Sequence, residues 1–96
     1  MPKGYIIGHI TVTDPDAYPE YIRRNTPILN NLGATFLVRG GRPEVPEGEI
    51  FDRHVVLEFP SFEAAKAAYN DPEYQDVADI RRASADSVII LVEGHE

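Results

Sequence analysis

The segment from Tyr5 to Pro15 reads YIIGHITVTDP, and it passes from a strand to the start of a helix. The part from Tyr5 to Thr13 is rich in Ile, Val and Thr, which favour strands. Asp14 can accept hydrogen bonds from the free N–H groups of a first helical turn, and Pro15 is favoured at the first helical position. The segment therefore predicts a β-α unit at the start of the chain.

Turn residues divide the rest of the chain into further elements. Gly33 predicts the end of the first helix, and Pro27 predicts a kink or a tight turn within it. Ser61 predicts the cap of a later helix, which Asn70-Asp71-Pro72 interrupts. The other predicted elements are strands at 34–41, 52–59 and 87–92, a loop at 42–51, and helical pieces at 62–69 and 72–83. The order β-α-β-β-α-β predicts an α+β, ferredoxin-like fold with a four-stranded antiparallel sheet.

Length and composition indicate a single domain over residues 1–96, with 43% apolar and 26% charged residues. The net charge of −7 repels phosphate backbones, so no nucleic-acid partner is expected. The N-terminus lacks the features of a secretory signal, and no apolar run approaches roughly 18 residues, so no membrane association is expected. The chain has no Cys, which fits a reducing compartment and predicts a cytoplasmic location.

Alternation along the predicted strands divides the sheet into an apolar face and a mixed face. The apolar sets are Ile6, Gly8, Ile10 and Val12; Phe36, Val38 and Gly40; Val55, Leu57 and Phe59; and Val88, Ile90 and Val92. The mixed face carries the polar residues His9, Arg39, His54, Glu58 and Glu93 among the apolar residues Ile7, Leu37, Val56, Ile89 and Leu91. The helices would cover the apolar face, and no segment remains for the other. The mixed face therefore predicts a partly closed cavity or a homodimer interface.

The polar residues of the mixed face are the first candidates for a site. An imidazole beside a carboxylate, from His9, His54 and Glu58, would support general acid–base catalysis. Arg39 would hold an anionic substrate or an enolate. The alternative is an interface network in which Arg39 pairs with Glu58 for structural reasons. The sequence does not rank His9 against His54, because the strand register is open to a slip of one residue.

A second group of candidates surrounds the break in the second helical region. Tyr69 and Tyr74 flank this break, where they would line the mouth of a pocket and bind a substrate, or else pack the helix onto the sheet. Arg81 would reach the same pocket, or stabilise the C-terminus of a helix. Gly40 and Gly41 follow Arg39 and would place backbone N–H groups near an anion, or supply the geometry of a strand end.

The histidines do not predict a metal site. His9, His54 and His95 lie far apart in the sequence, and no pair has the spacing of helical ligands. A metal site would therefore require tertiary assembly. We predict neither a metal nor a cofactor.

Several motifs give the chain a resemblance to a known family. They are the 5–15 segment, Gly33 to Gly41 (GATFLVRGG), Glu47-Gly48, Arg53 to Ser61 (RHVVLEFPS), Pro72 to Gln75 (PEYQ) and Arg81 to Asp86 (RRASAD). The chain resembles the domain of unknown function 1330, a family of the dimeric α/β-barrel superfamily. The resemblance implies a ferredoxin-like protomer and a dimer whose two sheets face each other. It implies no particular reaction, and His54 lies outside the family pattern.

Together these observations predict a dimeric small-molecule protein. As an enzyme it would carry out proton transfer or oxygenation without a cofactor, on a small and partly apolar molecule. Arg39 would orient this substrate, and His54 or Glu58 would move the proton. The alternatives are a non-catalytic ligand-binding or interaction module, and haem binding through an assembled histidine. The superfamily contains cofactor-free monooxygenases, haem enzymes, isomerases and ligand-sensing domains, so the resemblance does not choose between them.

Overall fold

Four strands and three helices make up the computed structural model, which describes every residue from Met1 to Glu96. The strands are β1 (Gly4–Val12), β2 (Thr35–Arg39), β3 (Arg53–Phe59) and β4 (Ala85–Glu93), and the helices are α1 (Tyr18–Asn31), α2 (Phe62–Tyr69) and α3 (Pro72–Ser84). All strand pairs are antiparallel, in the order β2-β3-β1-β4. The predicted α+β, ferredoxin-like fold is therefore confirmed. None of the helices has the length and apolarity needed to cross a membrane.

Local capping signals account for one end of each helix. The Ser61 hydroxyl accepts a hydrogen bond from the Ala64 N–H at 3.0 Å, which caps α2. The Asp71 carboxylate accepts one from the Tyr74 N–H at 3.0 Å, which caps α3. Gly33 follows α1 with a φ of +96°, a left-handed conformation that favours glycine.

The first helix departs from the sequence-based prediction at two points. It begins at Tyr18 and not at Asp14-Pro15, because the Asp14 carboxylate accepts from the N–H groups of Asp16 and Ala17 and closes a turn before the helix. The helix also continues past Pro27 to Asn31, so the predicted tight turn is absent. A single helix therefore runs from Tyr18 to Asn31, with Tyr18, Tyr21, Asn25 and Leu29 buried along one side.

The predicted faces are correct for β1 and β3 but reversed for β4. Ser87 lies on the helix side, where its hydroxyl accepts a hydrogen bond from the Arg81 Nε at 3.3 Å. Ile89 and Leu91 then pack against the core, and Val88 and Ile90 are exposed on the other side. The reason is that residues 88–92 are all apolar, so their alternation carries no signal. The register is set instead by pairing with β1.

A β-bulge in β2 reverses a second predicted orientation. Phe36 pairs with Leu57, but Val38 pairs with Val56, so Leu37 is the extra residue. After the bulge, Arg39 lies on the helix side. The predicted placement of Arg39 on one face with His54 and Glu58 is therefore wrong.

One face of the sheet has no cover within the chain. The molecule measures 37 × 35 × 16 Å, and its short dimension corresponds to one layer of helices on one sheet. We call the uncovered side the open face. Its residues are Tyr5, Ile7, His9, Thr11, Thr35, Val38, His54, Val56, Glu58, Asp86, Val88, Ile90 and Val92. Val38, Val88, Ile90 and Val92 are each 40–45% exposed, so this face is an apolar surface in contact with water.

Candidate functional site

A pocket lies between α1 and the sheet, because α1 packs mainly on α3 while α2 packs on β1, β3 and β4. We call it the α1 pocket. Its lining is Tyr18, Tyr21, Ile22, Asn25 and Leu29 of α1; Ile6, Gly8, Ile10, Phe36, Arg39, Arg53, Val55, Leu57 and Ile89 of the sheet; and Tyr74 of α3. The cavity has a volume of about 30 Å³, enough for one or two water molecules. The pocket is therefore largely apolar and narrow.

Glycine creates space at the floor of this pocket. Gly8 is in the middle of β1, and a Cβ atom there would lie 3.3 Å from the Cδ1 of Ile89. A glycine inside a strand often marks a place where another group approaches the backbone closely. The absence of a side chain at Gly8 therefore leaves space at the floor of the pocket.

The β2 bulge brings the guanidinium of Arg39 to one side of the α1 pocket. Its Nη2 donates to the Thr26 hydroxyl at 2.7 Å, to the Asn25 Oδ1 at 3.1 Å and to the Ile22 carbonyl at 3.4 Å. The guanidinium also lies over the ring of Phe36, 4.2 Å from its centroid. Burial and the nearby guanidinium of Arg53 lower the pKa of Arg39. Neutral oxygens hold this cation, and no carboxylate does.

Arg53 enters the same pocket from the first position of β3. Its Nε is buried and has no hydrogen-bond partner. Its guanidinium lies 5.7 Å from the ring centroid of Tyr18, and it occupies the space beside Gly40 that a Cβ atom would fill. A buried donor without a partner is costly. One buried donor of a residue that lines the pocket is thus left without a partner.

A third arginine extends the polar end of the pocket through two tyrosines. Arg81 is only 3% exposed, and its Nη1 donates to the Tyr74 hydroxyl at 3.0 Å and to the Tyr21 hydroxyl at 3.2 Å. The two hydroxyls lie 2.8 Å apart and share a hydrogen bond. Burial, and then the neighbouring Tyr21, raise the pKa of Tyr74, so this phenol keeps its proton at neutral pH.

The charge of the α1 pocket is opposite to that of the chain. Its lining contains Arg39 and Arg53, with Arg81 directly behind the tyrosines, and it contains no Asp, Glu or His. The four salt bridges of the molecule involve other basic groups, namely the N-terminus, Lys3, Arg23 and Arg82. The pocket is therefore a local positive site in a chain of net charge −7.

The predicted acid–base residues lie on the open face, on the other side of the sheet. His9 and His54 face each other across β1 and β3, with their Nδ1 atoms 2.9 Å apart. Glu58 accepts a hydrogen bond from the Tyr5 hydroxyl at 3.1 Å, which raises the pKa of Tyr5, and pairs with Lys3 at 3.5 Å. The predicted Arg39–Glu58 pair is absent, because the bulge turns Arg39 away.

The structure thus divides the predicted site residues into two groups. Arg39, Tyr74 and Arg81 meet around the α1 pocket. On the open face His9 and His54 are in contact, whereas Glu58 lies four residues along β3 from His54 and contacts Tyr5 and Lys3, so the predicted pairing of an imidazole with Glu58 is absent. Tyr69 lies outside the lining, with its ring centroid 6.1 Å from that of Tyr74.

Four polar residues of the pocket were not among the sequence-based candidates, namely Tyr18, Tyr21, Asn25 and Arg53. Asn25 carried a usable signal, because it falls on the buried helical stripe that includes Tyr18, Tyr21 and Leu29. A polar residue on such a stripe needs a partner, and here the partners are Thr26 and Arg39. Arg53 carried no comparable signal.

Comparison with known proteins connects the chain to one family and to several solved structures. The model of the domain of unknown function DUF1330 matches residues 3–95. The RPA0582 protein of unknown function from Rhodopseudomonas palustris is 23% identical, with a TM-score of 0.78 over 99% of this chain and 84% of that one. Among curated proteins, none matches this chain.

Two further structures have the same fold. A dimeric ferredoxin-like protein of unknown function from Jannaschia sp. CCS1 is 18% identical, with a TM-score of 0.70 over 95% of this chain and 98% of that one. SnoaB, a cofactor-independent oxygenase from Streptomyces nogalater, is 16% identical, with a TM-score of 0.67 over 100% of this chain and 96% of that one. At these identities the likeness shows a shared fold.

Proposed function

Because the chain belongs to the DUF1330 family, a domain of unknown function, we propose its function from the geometry of the site: it binds a small, largely apolar anion in the α1 pocket. The ligand class is a carboxylate, enolate or phenolate attached to a short chain or a single ring. The observation that carries this proposal is the convergence of arginines without a carboxylate.

The arginines supply the charge that this ligand requires. A cation enclosed by apolar groups is unfavourable unless an opposite charge or several acceptors compensate it. Arg39 has three oxygen acceptors, whereas the buried Nε of Arg53 has none. An oxyanion placed between the two guanidinium groups accepts hydrogen bonds from both of them. Such charge-assisted bonds are shorter and stronger than neutral ones.

The rest of the lining determines the apolar part of the ligand. Ile6, Ile10, Leu29 and Leu57 are buried around the cavity, and Gly8 leaves room beside them. Since the cavity holds only one or two waters, binding of even a single ring requires side chains at the edge to move. Phe36 and the two arginine side chains are partly exposed and supply that freedom.

A second candidate function is catalysis on the same anion without a cofactor, by proton transfer or oxygenation. The phenols of Tyr21 and Tyr74, with Arg81 behind them, favour it, because a buried donor pair stabilises negative charge that develops on a substrate oxygen. SnoaB, which has this fold, is described as a cofactor-independent oxygenase. The pocket lining has no carboxylate or imidazole to accept a proton, so binding is the first proposal.

We also propose that two copies form a homodimer through their open faces. The open face exposes the apolar residues Val38, Val88, Ile90 and Val92 without a cover from the chain, and proteins of this fold from Jannaschia and Thermobifida fusca are described as dimeric. The pocket lies on the other side of the sheet, so each protomer keeps a complete site.

The test of the binding proposal uses benzoate as the probe and benzamide as its neutral equivalent. Isothermal titration should show that benzoate binds more tightly, and that Arg53→Gln weakens benzoate binding about tenfold or more, as expected for a lost charged hydrogen bond. Arg24→Gln, an exposed arginine of α1 outside the pocket, is the matched control and should bind normally. Equal binding of benzoate and benzamide, or equal losses in the two variants, would refute the proposal.

Catalysis is tested separately from binding. A bound carboxylic acid with an acidic C–H bond should exchange that hydrogen in deuterium oxide, and a phenolic substrate should consume oxygen. Both rates should fall in Tyr74→Phe while benzoate still binds. Binding without turnover of any substrate tested would leave the binding module as the function.

A further inference from the structure

The pair His9 and His54 forms a second cluster, apart from the α1 pocket. The two residues are directly opposite in the register of β1 and β3. Their Nδ1 atoms are 2.9 Å apart, and their ring centroids are 5.1 Å apart with the planes inclined at 70°. Both rings are partly exposed on the open face. The sequence placed these histidines far apart, and tertiary assembly brings them together.

The contact between two Nδ1 atoms restricts the protons that the rings can carry. A neutral imidazole has one N–H donor and one acceptor nitrogen. In the hydrogen-bonded pair, one ring must carry its proton on Nδ1 so that the other Nδ1 can accept it. Two protonated Nδ1 atoms would repel each other. A cation between the rings removes this restriction, because both Nδ1 lone pairs then point at the metal and both protons lie on Nε2.

We propose that His9 and His54 form a two-histidine site for a divalent transition metal, with Nδ1 of each ring as the ligand. Bonds of about 2.0–2.1 Å in tetrahedral geometry place two ligand nitrogens roughly 3.3 Å apart. The rings therefore need to separate by only about 0.4 Å from the observed 2.9 Å, a change that small χ rotations supply. The ligands stand on adjacent paired strands, so little backbone freedom is lost on binding.

The composition of the site determines which metals it takes. Imidazole suits zinc, copper and nickel, whereas calcium and magnesium prefer oxygen ligands. No third His, Cys, Asp or Glu of the chain completes a cluster with this pair, so the other coordination positions take water in a single chain and lie at the interface in the proposed homodimer. For such a site the affinity should follow the general order for divalent ions, with Cu²⁺ above Ni²⁺, and Ni²⁺ above Co²⁺.

The experiment titrates CuSO₄, NiCl₂ and CoCl₂ into the full chain, freed of any histidine tag and of bound metal, by isothermal calorimetry. We expect one Cu²⁺ per chain in that order of affinity. His9→Gln and His54→Gln should each weaken Cu²⁺ binding by about tenfold or more, because each removes one of two ligands. His95→Gln is the matched control, since His95 lies in the C-terminal tail outside every helix and strand, and should leave binding unchanged.

Two further measurements separate a metal site from a general effect on folding. Circular dichroism and urea unfolding should show that the Gln variants keep the native fold. In ¹⁵N spectra of the histidine rings, Zn²⁺ should shift the Nδ1 signals of His9 and His54 and not the signals of His95. Binding that survives in both Gln variants, binding that depends on His95, or the absence of binding by any of these ions would each overturn the proposal.

Discussion

Gly40→Ala tests whether Arg53 contacts the ligand, because a single methyl group at this position displaces its guanidinium. A Cβ atom on Gly40 would lie 2.1 Å from Nη1 and 2.6 Å from Cζ of Arg53, much closer than van der Waals contact allows. The atoms in conflict belong to the end of a flexible side chain. The Arg53 guanidinium therefore leaves its place beside the pocket, while the backbone remains.

The chain offers a matched control in Gly48→Ala. Gly40 and Gly48 both have a positive φ, at +68° and +81°, but a Cβ atom on Gly48 would meet no atom within 4 Å. A non-glycine residue in the left-handed region costs about 1–2 kcal/mol. Both variants should therefore lower the free energy of unfolding by a similar amount, seen as a fall of the melting temperature of roughly 4–8 °C per kcal/mol.

Ligand binding should separate the two variants. A hydrogen bond to a charged group contributes about 1.5–3 kcal/mol, so loss of the Arg53 contact should weaken benzoate binding about tenfold or more in Gly40→Ala. Gly48→Ala should bind benzoate like the unmodified protein at a temperature where both are folded. Thermal unfolding by circular dichroism and calorimetric titration on the same samples give both quantities.

Two results would refute this reasoning. Equal benzoate affinities in Gly40→Ala and Gly48→Ala would mean that Arg53 does not contact the ligand. A much larger loss of stability in Gly40→Ala than in Gly48→Ala would mean that Arg53 holds the fold together at this place.

Three further predictions follow from the same contacts. Arg81→Met should change the free energy of unfolding by less than about 1 kcal/mol, or raise it, because Met removes a buried cation without a carboxylate partner while the Tyr21–Tyr74 hydrogen bond persists. Benzoate binding should weaken in the same variant. A loss of stability of several kcal/mol in urea unfolding would contradict the prediction. The raised pKa of Tyr74 means that the folded chain keeps this proton while the unfolded chain loses it above about pH 10. Above that pH the free energy of unfolding should therefore fall by up to about 1.4 kcal/mol per pH unit. Tyr74→Phe should remove this part of the pH dependence. Ile90→Lys should convert the proposed homodimer into a monomer in analytical ultracentrifugation, whereas Val45→Lys, at an equally exposed position in the β2–β3 loop, should not.

The order of elements could be predicted from the sequence because local chemistry determines it. Ser61 and Asp71 cap α2 and α3 through hydrogen bonds to nearby N–H groups, and Gly33 has the positive φ that ends α1. These interactions span only a few residues. Asp14 shows the limit of such signals, because the same side chain closes a turn as readily as it caps a helix.

The orientation of individual side chains could not be predicted in the same way. In β4 the alternation of residues 88–92 is apolar on both sides, so its phase depends on pairing with β1. In β2 the extra residue Leu37 changes the phase of Arg39, and nothing in the local sequence marks a bulge there. The sequence therefore predicted some residues of the site, such as Arg39 and Tyr74, but it grouped Arg39 with residues that lie on the opposite face of the sheet.

The β2 bulge and the charge of the chain together explain why the α1 pocket is a better candidate than the open face. The chain has 16 Asp and Glu against 9 Lys and Arg, so acidic partners for its arginines are abundant in the sequence. Three arginines nevertheless lie around one pocket that contains no Asp or Glu, namely Arg39, Arg53 and Arg81. They belong to two strands and a helix that are separated in the sequence. Arg81 is buried and Arg39 and Arg53 are partly buried, and burial of a cation without an opposite charge is unfavourable. The bulge moves Arg39 into this group and away from Glu58. A negative charge supplied by a bound ligand accounts for all of these features together.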